Sequence, residues 1–192
     1  SMTKCVIPDS IRLNNGDFNN AFNSMANLNS ALISNKITNM SFIFKGCKNL
    51  TGKPVCSENV TDMSGAYADC LKISGNPACG ENVTNAYGAY VRCTNLTGNP
   101  VCGPNVTTMA WMYYECSNLK GNVVCGEIAD DISYAYYNCY NITGSPICGN
   151  KITNMKHAYS GCYNITGNPV CGENVIDMRG AYFDCYNLTG NP

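Results

Sequence analysis

The sequence predicts an α/β solenoid, with short parallel strands on one face and short helices or 3-10 turns on the other. Three observations predict it. Cysteine recurs at the constant interval that separates Cys47 from Cys70, other positions of the same repeat keep one residue type, and no apolar run is long enough to cross a membrane. A fixed period of roughly 20 to 50 residues is typical of stacked repeats. Each unit is too small to bury its own apolar face, so neighbouring units share one core.

Two cysteine columns define the repeat, which is numbered from the first of them. The column at position 1 holds Cys47, Cys70, Cys93, Cys116, Cys139, Cys162 and Cys185. The column at position 10 holds Cys56, Cys79, Cys102, Cys125, Cys148 and Cys171. Cys5 lies outside both columns.

Other positions of the repeat predict its local structure. Position 4 is aliphatic, position 17 is mostly Met and position 21 is always aromatic. Positions 17, 21 and 24 have the spacing of one helix face, and Thr, Asp or Asn at positions 15 and 16 can cap the first turn. Glycine at position 6 permits a turn. Positions 8 to 10, such as Pro100-Val101-Cys102, indicate a strand of about two residues, because proline cannot donate to a ladder.

The ends of the chain differ from its middle. Residues 13–35 form a degenerate first repeat, one residue out of phase, and we expect residues 1–35 to be an N-terminal cap. Residues 36–192 then form a solenoid of about seven repeats. Ser1-Met2 resembles a cloning remnant and the chain stops inside a repeat, so we expect a piece of a longer protein, truncated at its C-terminus.

Most repeats also carry a motif of the form AYxxC, and some continue into a stretch of the form NVTxM. The AYxxC motif occurs at Ala66-Tyr67 to Cys70, Ala89-Tyr90 to Cys93, Ala158-Tyr159 to Cys162 and Ala181-Tyr182 to Cys185. With these motifs the chain resembles the BspA-like leucine-rich repeats of bacterial and protozoal surface proteins. The chain departs from that family in having Tyr for Phe, fewer leucines and a second cysteine column. The resemblance implies a curved solenoid like that of leucine-rich repeats, a role in surface attachment or protein binding, and no catalytic residues.

Three interpretations of the cysteines compete. As reduced core residues they are small buried hydrophobes, and Met25 takes the first column's place in the cap. If the two columns were joined by disulfides, the cap repeat would be expected to lose both cysteines together. It does so, since Met25 and Ser34 stand at the two positions. However, a turn and a strand separate the two columns, and a disulfide tolerates only about 7 Å between Cα atoms. The third interpretation is metal binding, but the sequence has no CxxC motif and only one histidine, His157. We expect mostly reduced core cysteines and no metal site.

Candidate binding residues lie where the repeats differ from one another, at positions 2, 18, 19 and 22. There the fourth to sixth repeats are unusually aromatic. The candidates are Trp111, Tyr114, Tyr134, Tyr137, Tyr140 and Tyr163, with Phe183 and Tyr186 continuing the pattern. Aromatic residues are favoured at protein interfaces. The alternative is that these rings stack on one another and only cover the core. His157 is expected to be a solvated surface residue.

The composition narrows the function. A formal net charge of −1 gives no basic patch for nucleic acid or an anionic membrane. No combination of nucleophile, base and oxyanion donors is present, so we expect neither an enzyme nor a cofactor. We expect a repeat module of a cell-surface or secreted protein that binds a protein or another macromolecule, of a host or a matrix, without inserting into a membrane. The alternatives are a structural stalk that displays another domain, and redox or metal handling by the cysteine columns.

Overall fold

The computed structural model describes residues 3–6 and 17–190. Of the N-terminal cap expected from the sequence, residues 1–2 and 7–16 lie outside this part, and residues 191–192 lie outside it at the other end.

The strands of the described residues are short and pair only in parallel. They are β1 (Lys4–Val6), β2 (Ser30–Leu32), β3 (Gly121–Asn122) and β4 (Ile142–Thr143). Strand β1 pairs with β2, and β3 pairs with β4. No residue of the described part is helical. Of the short helices or 3-10 turns expected on one face, the helices are therefore absent from the described residues.

Single parallel bridges join each repeat to the next at position 16. The bridged residues are Asp17, Asn39, Asp62, Asn85, Thr108, Asp131, Asn154 and Asp177. From Asn39 onward each bridge joins a residue to its equivalent in the following repeat, so neighbouring repeats lie side by side in a constant register. The first step, from Asp17 to Asn39, is one residue shorter than the later steps, in agreement with the phase shift of the first repeat. The solenoid class itself stays a prediction.

The segment from position 16 to position 24, where the sequence predicts a helix, is here called the turn segment. In the fourth repeat the Tyr113 N–H donates to the carbonyl of Ala135, in the following repeat, at 2.9 Å. A helical N–H would donate to Met109, four residues back. Every second N–H of the turn segment crosses to the next repeat in this way. The N–H groups between them close tight turns, as from Met112 to the Met109 carbonyl at 2.9 Å.

Left-handed backbone at two positions excludes a helix from the turn segment. At positions 19 and 23 every repeat has a positive φ, for example 60° at Trp111 and 57° at Glu115. A right-handed helix needs φ near about −63° at each residue. Position 16 still caps the segment as expected, since the Asp62 side chain accepts the Ser64 N–H at 2.8 Å. The cap precedes a row of turns instead of a helix.

The repeat columns pack into one hydrophobic core, along which the position-21 rings are stacked. These rings are here called the inner tyrosine column: Phe44, Tyr67, Tyr90, Tyr113, Tyr136, Tyr159 and Tyr182. Neighbouring rings lie 5.4 to 5.6 Å apart between centroids, and Tyr67 and Tyr90 are inclined by only 1°. The ring spacing follows the spacing of the repeats.

The hydroxyls of four rings in this column satisfy the backbone at position 9. The Tyr90 hydroxyl accepts the Ala78 N–H at 2.9 Å and donates to the Ala78 carbonyl at 2.6 Å. The hydroxyls of Tyr67, Tyr113 and Tyr136 make the same pair of bonds to their own position-9 residue. A side chain thus replaces the strand partner expected at positions 8 to 10.

Two other members of the column support this interpretation. Phe44 has no hydroxyl, and its position-9 residue, Leu32, pairs with Val6 in the β1–β2 sheet. The Tyr159 hydroxyl does not contact Ile147, which instead forms a parallel bridge to Val170. In both places a strand-type partner is present where the hydroxyl bonds are missing. Buried backbone groups therefore obtain a partner in either case, as their desolvation cost requires.

The position-1 cysteines are part of the core. Each thiol donates to the carbonyl of a position-21 residue, as Cys93 does to Tyr67 and Cys116 to Tyr90, at 3.0 and 2.9 Å. A thiol can donate this bond only while it is reduced and protonated. All fourteen cysteines are free thiols in the structure.

We predict that Tyr90→Phe destabilises the protein more than Tyr159→Phe. Removing the Tyr90 hydroxyl leaves the N–H and the carbonyl of Ala78 without this partner and should lower the free energy of unfolding by about 1 to 3 kcal/mol. Tyr159→Phe removes only hydroxyl contacts to thiols and should cost less than about 1 kcal/mol. Urea unfolding of the two variants measures the difference. Equal losses would contradict the role given to the hydroxyl.

Candidate functional site

Four of the six candidate residues come together with a fifth ring. This group, here called the aromatic cluster, consists of Trp111, Tyr114, Tyr134, Tyr137 and His157. The Trp111 ring lies 4.5 Å from both Tyr114 and Tyr134, measured between centroids. Tyr114 stacks on Tyr137 at 5.0 Å, and Tyr134 stacks on His157 at 5.1 Å. All five side chains are partly exposed.

The cluster stands on two repeat positions of the turn segment. Trp111, Tyr134 and His157 occupy position 19 of three consecutive repeats, and Tyr114 and Tyr137 occupy position 22. Because the turn segments are bonded to one another in register, equal positions of neighbouring repeats lie side by side. The backbone thus places the rings in two adjacent rows.

Position 19 is an unfavourable place for a large aromatic side chain. Trp111, Tyr134 and His157 have φ values of 60°, 55° and 51°. This left-handed conformation costs an L-residue roughly 1 to 2 kcal/mol but costs glycine almost nothing. Glycine accordingly holds position 19 at Gly65, Gly88 and Gly180, and Phe42 holds it in the repeat before Gly65. Three successive bulky residues at a strained position need an explanation beyond backbone preference.

His157 closes the row of position-19 rings. A Cβ atom on Gly180, at position 19 of the next repeat, would overlap the imidazole, so the glycine makes room for the ring. The Nδ1 atom of His157 is buried and has no hydrogen bond to any described residue. Lys156 places its ammonium 5.8 Å from the Tyr134 ring, which adds a positive charge beside the cluster.

The other two candidates belong to a separate group. Tyr140 and Tyr163 stack at 5.2 Å, and Tyr163 stacks on Tyr186 at 5.7 Å. These three residues, all at position 2, are here called the outer tyrosine row. Their exposure rises along the chain and reaches 74% at Tyr186. No ring contact among the described residues joins this row to the aromatic cluster, so the six candidates form two surfaces.

His157 is the member of the cluster that the sequence analysis misses. It is expected to be a solvated histidine, and the structure instead stacks it on Tyr134 and covers it by Gly180. Its repeat position carries the missing signal, since His157 is at position 19, as Trp111 and Tyr134 are.

The contacts among the rings also fit, in part, the alternative that these rings only pack on one another. Each ring of the cluster contacts at least one other ring, and Tyr134 contacts four. The rings nevertheless keep part of their surface open to solvent. Mutual stacking therefore orders the rings without burying them, and a rigid, partly exposed aromatic surface suits binding.

The second cysteine column has a more varied environment than the first. The thiols of Cys56, Cys79 and Cys102 lie 3.5 to 4.0 Å from the carbonyl of the next residue. Cys125 and Cys148 differ, because their sulfur atoms lie 3.4 Å from each other. Burial raises the pKa of most of these thiols, that of Cys102 to about 12.

Neither metal-ligand clusters nor membrane spans stand out. Within residues 3–6 and 17–190, no group of three or more His, Cys, Asp or Glu side chains is placed to hold a metal ion. The same residues include no helix of the length and apolar character that a membrane span needs.

Comparison of the chain with protein-family models, with curated proteins and with solved structures finds no match.

We predict that thiol titration under denaturing, non-reducing conditions finds most of the fourteen cysteines free. In the native protein near pH 8 the position-1 thiols should react slowly, because burial raises the pKa of thiols such as Cys93 and Cys139 well above the usual 9.0. A timed thiol-reagent assay measures both quantities. Fewer than four titratable thiols after denaturation would overturn the interpretation as reduced core residues.

Proposed function

We propose that the chain is a non-enzymatic binding module, a solenoid of the leucine-rich-repeat kind that contacts its ligand through the aromatic cluster. One observation carries the proposal. Trp111, Tyr134 and His157 hold position 19 in three consecutive repeats at positive φ, where glycine occurs in other repeats. Backbone strain of this kind is kept at functional sites when the side chain is needed there.

The solenoid architecture is supported by the pairing between repeats. Parallel bridges at position 16 join each repeat to the next from Asn39 to Asp177, and every second N–H of the turn segment bonds to the next repeat. Such an arrangement presents equal repeat positions as rows on a continuous surface. A row of position-19 rings is thus a surface that a single unit could not build.

The chemistry of the cluster suits a macromolecular partner, and we favour a protein. Tyr and Trp offer large, rigid contact areas and are frequent among the residues that dominate interface energies. The near-neutral chain, with a formal net charge of −1, argues against nucleic acid. A protein of the host or of an extracellular matrix, met at the cell surface or after secretion, fits the resemblance to BspA-like repeats.

A structural stalk is the second candidate function. The contacts among the cluster rings favour it, because rings that satisfy one another need no outside partner. The two functions differ in what the loss of the rings would do. A binding surface should lose its ligand and keep its stability, whereas a packing surface should lose stability.

We predict that Trp111→Ala combined with Tyr137→Ala abolishes capture on a panel of immobilised collagens and laminins. The melting temperature should stay nearly unchanged, because both side chains are partly exposed and the variant removes no core column. Surface plasmon resonance measures capture, and calorimetry measures melting.

Two single variants serve as controls. Trp111→Gly removes the ring and also relieves the left-handed strain, so it should weaken capture while stability stays equal or rises by up to about 1 kcal/mol. Tyr186→Ala removes a more exposed ring of the outer tyrosine row and should leave capture intact. A large loss of stability in the double variant would support the packing function. Absence of capture by the unaltered protein would contradict the proposed ligand class.

A further inference from the structure

Cys125 and Cys148 form a pair of thiols unlike the other cysteines of their column. Their sulfur atoms lie 3.4 Å apart, and the Tyr159 hydroxyl lies 2.9 Å from Cys125 and 3.5 Å from Cys148. By contrast, Cys102 donates to the backbone of Gly103. The pair joins equal positions of two neighbouring repeats.

The pair exists because the local backbone pairing changes in this part of the stack. In four other repeats the position-21 hydroxyl is bonded to the backbone of position 9. Here Ile147 bridges to Val170, and the Cys148 N–H donates to the Val170 carbonyl at 2.9 Å. The Tyr159 hydroxyl is thereby left to the two thiols, which take the place of its usual backbone partner.

The two thiols have different accessibilities and different acidities. Cys125 is partly exposed, whereas Cys148 is only 5% exposed. The hydrogen bond from the Cys148 thiol lowers the pKa of Cys125, and the bond from the Tyr159 hydroxyl lowers it further, against an opposing effect of burial. The Cys148 thiol has its pKa raised, because it donates to Cys125 and is buried. A partly exposed cysteine of lowered pKa beside a buried cysteine is the arrangement of an attacking and a resolving residue.

We propose that Cys125 and Cys148 are a redox-active dithiol that reacts with a disulfide substrate and closes into a disulfide between two repeats. The geometry permits the bond. A disulfide bond holds its sulfur atoms roughly 2.05 Å apart, and those of Cys125 and Cys148 are already in contact. The sulfur atoms need to approach by little more than an ångström from their present separation.

The reaction balances with one external disulfide as oxidant. The Cys125 thiolate attacks one sulfur of the external disulfide, whose S–S bond breaks, and the first thiolate leaves and takes up the proton released by Cys125. Cys148 then attacks the Cys125 sulfur of the mixed disulfide, and the second external thiolate leaves with the proton of Cys148. Two protein thiols are oxidised to one disulfide, and the external disulfide is reduced to two thiols.

Oxidised glutathione tests the proposal on the fully reduced chain. After incubation, acid quenching and alkylation, intact mass spectrometry should show the loss of two of the fourteen thiols, and peptide mapping should find Cys125 joined to Cys148. Cys148→Ser should stop at a glutathione adduct on Cys125. Cys125→Ser and Cys125→Ala should form neither the adduct nor the bond. Circular dichroism verifies that each variant is folded. Cys125 is replaced by both Ser and Ala so that the result does not depend on one variant that misfolds.

Two further variants separate the proposed chemistry from a general reactivity of the column. Cys102→Ser, one repeat earlier in the same column, should leave the reaction unchanged. Tyr159→Phe should give the same disulfide about three to ten times more slowly, because the thiolate loses a hydrogen bond. The proposal is overturned if the oxidised chain keeps all its thiols, if the bond joins other cysteines, or if the unaltered chain accumulates an unresolved glutathione adduct.

Discussion

Alternation of hydrogen bonds in the turn segment is the constraint on which the rest of the structure depends. One N–H closes a turn within the repeat, and the next crosses to the following repeat, as from Tyr113 to Ala135. This alternation goes together with left-handed backbone at positions 19 and 23. It also fixes the register between repeats, so that each repeat position becomes a row. The buried core and the aromatic cluster are consequences of such rows, and the Cys125–Cys148 pair joins equal positions of two neighbouring repeats.

The sequence predicts the buried columns well and the backbone of the turn segment badly. Cysteine at position 1, Met at position 17 and the ring at position 21 are buried as expected up to the last repeat, where Met178 is exposed and Tyr182 and Cys185 are partly buried. The spacing of these residues also fits one face of a helix, which is why the sequence predicts a helix where the structure has turns. The contrary signal is glycine at position 19, as in Gly65 and Gly88, and at position 23, as in Gly46 and Gly161. Glycine recurring at two fixed positions of a supposed helix indicates left-handed turns.

The candidate sites lie where a row departs from its usual residue or partner. Position 19 changes from glycine, at Gly65 and Gly88, to Trp111, Tyr134 and His157, so two positions without side chains are followed by three rings. Tyr159 loses its usual backbone partner, and two thiols take that place. The sequence could reveal the first departure, since it is a change of residue type. The second is harder to predict, because Tyr159, Cys125 and Cys148 all match their columns.

The identity of the acceptor of the Tyr113 N–H tests this account most directly. Nuclear magnetic resonance of the isotope-labelled chain can detect the scalar coupling through a hydrogen bond, between the amide nitrogen and the acceptor carbonyl carbon. We expect a coupling from Tyr113 to the carbonyl carbon of Ala135, in the next repeat. A coupling to Met109, four residues back, would show a helix and would contradict the alternation from which the aromatic rows follow.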